Sequence, residues 1–144
     1  MGKIAVVYWS GTGNTEAMAL LVAEGAKKAG VEIALFASVE FQPALISIYD
    51  SIAFGCPSMG AEELEDMEFN PMFSSCESAL KGKQIALFGS YGWGDGEWMR
   101  NWEDTCIANG AVLVCDSVIC VESPDDEASK ACKALGAALA TAQK

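Results

Sequence analysis

Three short stretches of the chain carry residue types suited to chemistry on a small anion and a flat ring. The first is Ser10-Gly11-Thr12-Gly13-Asn14-Thr15, set between an apolar run, Ile4-Ala5-Val6-Val7-Tyr8, and a helical pattern. Its glycines let the backbone approach closely. The hydroxyls of Ser10, Thr12 and Thr15 can converge with backbone N–H groups on one anion, and the helix N-terminus adds a favourable dipole. The stretch holds no Lys or Arg, so a phosphate there is held by neutral donors. The second is Pro57-Ser58-Met59-Gly60-Ala61-Glu62-Glu63-Leu64-Glu65-Asp66. Met59 supplies a soft, adaptable apolar wall, Gly60 suits a tight turn with positive φ, and Glu62 can accept from a ring N–H. Glu63, Glu65, Asp66 and Glu68 read as a solvated acidic rim. The third is Ser90-Tyr91-Gly92-Trp93-Gly94-Asp95-Gly96-Glu97-Trp98, where Trp93 between two glycines reads as a bend presenting an indole outward. An exposed indole calls for a planar partner; packing onto its own loop is the alternative. Trp98 and Trp102, one helical turn apart, read as core. Alone, the first stretch is an ordinary capped strand–helix turn. Together the three describe a phosphate at one end and a polar-edged ring at the other, a mononucleotide with an aromatic head.

What the chain lacks narrows the chemistry further. It has no histidine, which excludes histidine-based acid–base and triad mechanisms. Its six cysteines form no C-x-x-C pair, so they read as small buried hydrophobes in a reducing, cytoplasmic setting rather than as a zinc set. The formal charge of −11 repels nucleic acid and anionic membrane and favours basic partner surfaces. No apolar run reaches the length of a membrane span. Met1-Gly2-Lys3 leads straight into a strand pattern, so no signal peptide is expected.

Apolar runs near 3–8, 31–36, 52–56 and 85–88, with a fifth within 111–121, predict strands. Helical spacing joins Met18, Leu21, Val22 and Gly25, then Phe69, Phe73, Cys76 and Leu80, then residues 96–109. A last helix presents Ala128, Ala131, Cys132, Leu135, Ala138, Leu139 and Ala142. Pro43 opens a short helix in an otherwise ambiguous stretch. Asn70-Pro71 reads as a cap with a first-turn proline, and Ser123-Pro124-Asp125-Asp126 as another helix start. Near-continuous apolar strands alternating with helices predict an α/β fold, a parallel sheet covered on both faces. The three stretches then emerge at the carboxyl ends of strands one, three and four, where such sheets bind ligands. No linker or repeat divides residues 1–144, so a single domain is expected.

On these motifs the sequence resembles the flavodoxins, and among them the short-chain clostridial type. Tyr8 to Glu16, Gly55 to Glu65 and Leu87 to Gly96 carry the likeness, in order and across nearly the whole chain. The resemblance implies a doubly wound sheet of five parallel strands, order 2-1-3-4-5, and non-covalent FMN. It implies a phosphate on Ser10, Gly11, Thr12, Gly13, Asn14 and Thr15, and an isoalloxazine ring flanked by Met59 and Trp93. Ser90, Gly92 and Gly94 would line the ribityl chain and pyrimidine edge, Glu62 would accept from N3–H, and Ser58, Gly60, Ala61 and Tyr91 complete the set. A flip of the 60–61 peptide would offer the Gly60 carbonyl to N5. The implied role is a monomeric, low-potential one-electron carrier, not an enzyme, shuttling between redox enzymes with basic docking surfaces through a neutral semiquinone and a hydroquinone. Pro57 stands where some members carry a phosphate-binding hydroxyl, which shifts the phosphate contacts toward the first stretch. The alternatives are a flavodoxin-like NAD(P)H-dependent quinone or nitro reductase and a receiver domain of the same topology. The latter is disfavoured because Tyr8-Trp9 and Gly55-Cys56 stand where it needs acids.

Overall fold

The apolar runs form the strands of one parallel sheet in the computed structural model, which describes residues 2–60 and 62–142. In chain order the elements are β1 (Lys3–Tyr8), α1 (Asn14–Lys28), β2 (Glu32–Ala37), β3 (Ser51–Gly55), α2 (Phe69–Cys76), β4 (Gln84–Tyr91), α3 (Glu97–Ala108), β5 (Val112–Leu113), β6 (Val118–Val121) and α4 (Asp126–Thr141). The ambiguous stretch is a 3-10 turn, Pro43–Ile48, opened by its proline. The strand order is β2-β1-β3-β4-β5, with β6 also on β4. β1 lies at the centre of the reversal, pairing Val6 with Leu35 on one side and with Ala53 on the other.

The predicted fifth strand is broken. Along β4 the partner moves from Gln84 to Phe88 while the fifth strand runs from Val112 to Val118, so two extra residues leave the ladder. The break gives two short parallel strands, hence six in all, where one was expected. Ser117 in the excursion donates its hydroxyl to the Glu103 carboxylate on α3.

Each sheet face carries its own core. α2 and α3 cover one, where Phe54, Phe69, Phe73 and Trp102 meet edge-to-face or stacked, with Trp98 beside them. α1 and α4 cover the other, with Ile4, Val6, Met18, Val22, Leu135 and Leu139 fully or nearly fully buried. The two helices touch backbone to backbone: a Cβ on Gly25 would overlap the Lys133 carbonyl, and one on Gly136 the Val22 carbonyl. Full burial of such side chains stabilises by about 1.5–3 kcal/mol each.

Two helix starts differ from expectation. Asn70 is not the cap of α2, which begins at Phe69. Its first turn is held by the Glu65 carboxylate, which accepts from the backbone N–H groups of Met67 (2.8 Å), Glu68 (2.8 Å) and Phe69 (2.7 Å). At α4 the cap is Asp125, accepting from the Ala128 N–H at 2.8 Å, so Pro124 precedes the cap instead of following it.

Candidate functional site

The loops after β1, β3 and β4 leave the same edge of the sheet and are tied to one another. Trp9 N–H donates to Gly55 O (3.0 Å), and Ser58 N–H to Ser90 O (3.0 Å), extending the ladder beyond the strands. β4 runs further than predicted, so Ser90 and Tyr91 are strand residues. A Cβ on Gly89 would overlap the Cys56 carbonyl, which is why β3 and β4 can close this tightly under the loops. That carbonyl also accepts from the Trp98 indole at 3.2 Å.

The loop after β1 is built around two hydroxyls. Ser10 Oγ accepts from the N–H groups of Gly13 (3.1 Å) and Glu16 (3.2 Å), which curls the chain into α1. Gly13, at φ 99°, occupies the left-handed region that glycine enters without steric cost. Thr15 is buried, and its hydroxyl meets Ser90 Oγ at 3.2 Å. Among the described residues, the N–H groups of Ser10, Gly11 and Thr12 donate to nothing in the protein. Three unspent donors just ahead of a helix N-terminus, beside a cavity that Gly11 and Thr12 line, match the needs of a phosphate.

The loop after β3 closes on itself. Met59 and Glu63 exchange two backbone hydrogen bonds of 2.8 and 2.9 Å. Within that turn Gly60 has φ 54° and Glu62 φ 56°; Ala61 lies outside the described residues. Glu62 accepts from the Glu97 N–H at 3.1 Å, and its carboxylate lies against Gly94 so closely that a Cβ there would fall 2.6 Å from it. The loop after β4 is open: Trp93 is 63% exposed and Met59 38%, whereas Trp98 and Trp102 are core residues at 2%.

A cavity of about 250 Å³ brings together Gly11, Thr12, Asn14, Ser58, Met59, Ser90, Tyr91 and Gly92. Ser10, Gly13 and Thr15 support it from behind. Gly60, Glu62, Trp93 and Gly94 do not line it. Trp9, Pro57 and Glu122 also line it, though none of the three is among the cofactor-binding residues the resemblance implies. Trp9 and Pro57 lie within the motifs. Glu122 directly follows β6, and the rule that ligands sit at strand carboxyl ends would have found it.

Glu65 is not part of the solvated rim. It is 5% exposed; burial pushes its carboxyl up, but the N–H groups of Phe69, Glu68 and Met67 outweigh burial and hold it below the ordinary glutamate value. Cys56, buried beneath the same loop, has its thiol pushed well up by burial and is a neutral group there. No group of three or more His, Cys, Asp or Glu among the described residues could hold a metal ion.

The family model for flavodoxin matches residues 6–136. The chain belongs to the flavodoxin family. It is 44% identical over 142 residues to a flavodoxin of Megasphaera elsdenii, covering 96% of this chain and 99% of that one. It is 40% identical over 135 residues to a flavodoxin of Clostridium beijerinckii, covering 94% and 97%. The solution structure of two-electron reduced Megasphaera elsdenii flavodoxin superposes with a TM-score of 0.89 at 43% identity, over 96% of this chain and 98% of that one. Both relatives are short-chain flavodoxins of the clostridial type, as the motifs implied. Flavodoxins are electron carriers that bind FMN, and this chain takes the same cofactor and the same role. Its unspent donors fit the phosphate of that cofactor. No helix among the described residues is long and apolar enough to cross a membrane.

Proposed function

We propose that the chain is a low-potential, one-electron carrier working as a cytoplasmic monomer between redox enzymes that present basic surfaces, and not itself an enzyme. In this reading the N–H groups and hydroxyls of residues 10–15 bind the phosphate. Ser58, Ser90, Tyr91 and Gly92 hold the polar middle of the cofactor, and Met59 and Trp93 flank the ring. Glu62 and Gly94 serve its pyrimidine side, and the Gly60 carbonyl serves N5. Bound FMN supplies a ring that accepts and releases electrons one at a time.

The remaining work falls to the chain's own groups. Ser10 and Thr15 hold the first loop in its anion-binding shape, so little ordering cost remains to be met on binding. Glu62 is free to turn its carboxylate from the Glu97 N–H toward a donor on the ring edge. Met59 and Trp93 exclude water from the ring faces. The acids at 62, 63, 66, 68, 95 and 97 fall in or beside the loops after β3 and β4, and Glu122 lines the cavity itself. They disfavour added negative charge inside it, which lowers the potential of the more reduced couple. The same acids attract a basic partner, so electron-transfer rates are expected to fall as salt rises. A rate indifferent to ionic strength overturns that docking model.

The observation that carries this reading is the set of three unspent N–H donors in a loop that lines the cavity shared by all three motifs. An anaerobic reductive titration of the FMN-loaded protein tests it. A long-wavelength absorption band that rises and then falls supports one-electron chemistry. Bleaching without that band, driven rapidly by NAD(P)H alone, moves the assignment to a quinone or nitro reductase.

A further inference from the structure

We infer that the free edge of β6, with the groove between it and α4, docks an extended basic segment of a partner protein by adding it to the sheet as a further strand. β6 pairs with β4 on one side, and among the described residues nothing pairs with its other side. Sheet edges are commonly blunted by charge, proline or a bulge. β6 reads Val-Ile-Cys-Val, with no charge or proline inside it and the two-residue break lying before it, and Ile119 and Val121 are 37% and 57% exposed.

Beside this edge lies a groove of about 900 Å³, larger than the cofactor cavity. Ala131, Ala134 and Ala138 of α4 face it, and their small side chains leave the room. Val118 and Cys120 of β6 line it too. Burial pushes the Cys120 thiol up, so that surface is neutral and apolar. The charged groups lining the groove are Asp116, Asp125 and Glu127, all acidic; no Lys or Arg lines it.

An unprotected strand edge, an apolar floor and an acidic rim together select an occupant. Main-chain pairing calls for an extended segment, side chains alternate into the groove, and the rim calls for Lys or Arg. A second copy of this chain would bring acid to acid at a formal charge of −11 per copy. The position is also informative: Tyr91 lines both this groove and the cofactor cavity. Glu122, the residue after β6, donates its N–H to Tyr91 O at 3.0 Å and itself lines the cofactor cavity. A segment seated on β6 therefore sits beside the electron-transfer site, on a surface separate from the acidic loop of residues 62–68. The inference rests on this edge and stands independently of the one-electron reading.

The test is a two-dimensional NMR titration of the nitrogen-15-labelled, FMN-loaded protein with a synthetic heptapeptide alternating lysine and valine. The expected result is saturable movement of the amides of residues 118–121 and of the groove face of α4. An Ala134→Arg variant, at an exposed helix position compatible with folding, should bind at least tenfold more weakly. A glutamate–valine heptapeptide should leave the edge unmoved. Shifts confined to residues 62–68, equal binding by Ala134→Arg, or no saturable shift each overturn the inference. So does a concentration-dependent dimer in sedimentation that Ala134→Arg abolishes, since the edge would then belong to a second copy.

Discussion

The two ends of the cofactor site are built differently. The loop after β1 is held from within: Ser10 bridges two N–H groups of the helix start, and Thr15 is buried against Ser90. The loop after β4 is held at its surface, by the Glu62 carboxylate on the Glu97 N–H and by Arg100, which donates to the Asp95 carbonyl and carboxylate at 3.0 Å, and it leaves Trp93 63% exposed. The neutral, pre-shaped end suits a doubly charged phosphate that must be caught firmly. The open end suits a ring whose environment changes as electrons come and go. The held end serves affinity alone and the open end both affinity and potential, and substitutions should separate the two.

The largest effect is expected at neither end but at the Glu65 anchor between them. Its carboxylate accepts three backbone N–H groups at the start of α2 while almost wholly buried. Glu65→Ala should destabilise the protein by about 2–4 kcal/mol in denaturant unfolding, because charged acceptors are strong and buried donors are costly to strand. The native pKa of Glu65 is lowered, so its contribution is complete above the ordinary glutamate value of 4.5 and is lost as pH falls through the native value. Glu65→Gln should therefore flatten the acid limb of the stability curve below pH 4.5. An unchanged limb would mean the carboxylate is not what holds this turn.

Next is Trp93→Ala, which tests the open end. With the indole already exposed, global stability should change by less than about 0.5 kcal/mol. Loss of a stacking face should weaken FMN by about 1.5–3 kcal/mol, roughly ten- to a hundredfold in Kd. The potential of the more reduced couple should rise. Unchanged affinity and potential would remove Trp93 from the ring's surroundings. A large loss of stability would show that the two ends are not distinct.

Ser10→Ala tests the held end. It removes the acceptor for two N–H groups at the helix start, and losing such a cap costs about 1 kcal/mol of stability. Because those bonds shape the anion loop, FMN affinity should fall as well, while the potential stays where it was. That pattern, affinity without potential, separates Ser10→Ala from Trp93→Ala, where both should change.

The sequence was most legible where a residue type has few uses. Glycine on both sides of Trp93 could hardly describe a core, and Trp98 and Trp102 at helical spacing could hardly describe a surface. Long apolar runs alternating with helices pointed to a parallel sheet, and the family resemblance implied its order. Glu65 was misread because composition cannot tell one glutamate in an acidic run from its neighbours. What distinguishes it is three N–H groups converging in space. The break between β5 and β6 was hidden because Val114, Cys115 and Val118 are acceptable strand residues, and only register against β4 exposes the two extra ones. Glu122 was passed over because its loop has neither glycines nor a run of hydroxyls to draw attention.

The smallest predicted effect concerns the bridge between the held loop and the acidic one. Trp9 donates its indole N–H to Glu68 Oε1 at 2.9 Å, and its ring packs against Gly11, where a Cβ would approach to 3.0 Å. Trp9→Phe keeps an aromatic wall at the cavity and removes the donor. The bond is exposed, so stability should fall by no more than about 0.5–1 kcal/mol. The informative readout is kinetic. If Trp9 ties the 57–68 loop to the phosphate loop, FMN should dissociate several-fold faster from Trp9→Phe in stopped-flow fluorescence. Its potentials should be unchanged, because no group beside the ring has been altered. A shift in potential would place the bridge among the residues that tune the ring, and the separation of the two ends would fail at that point.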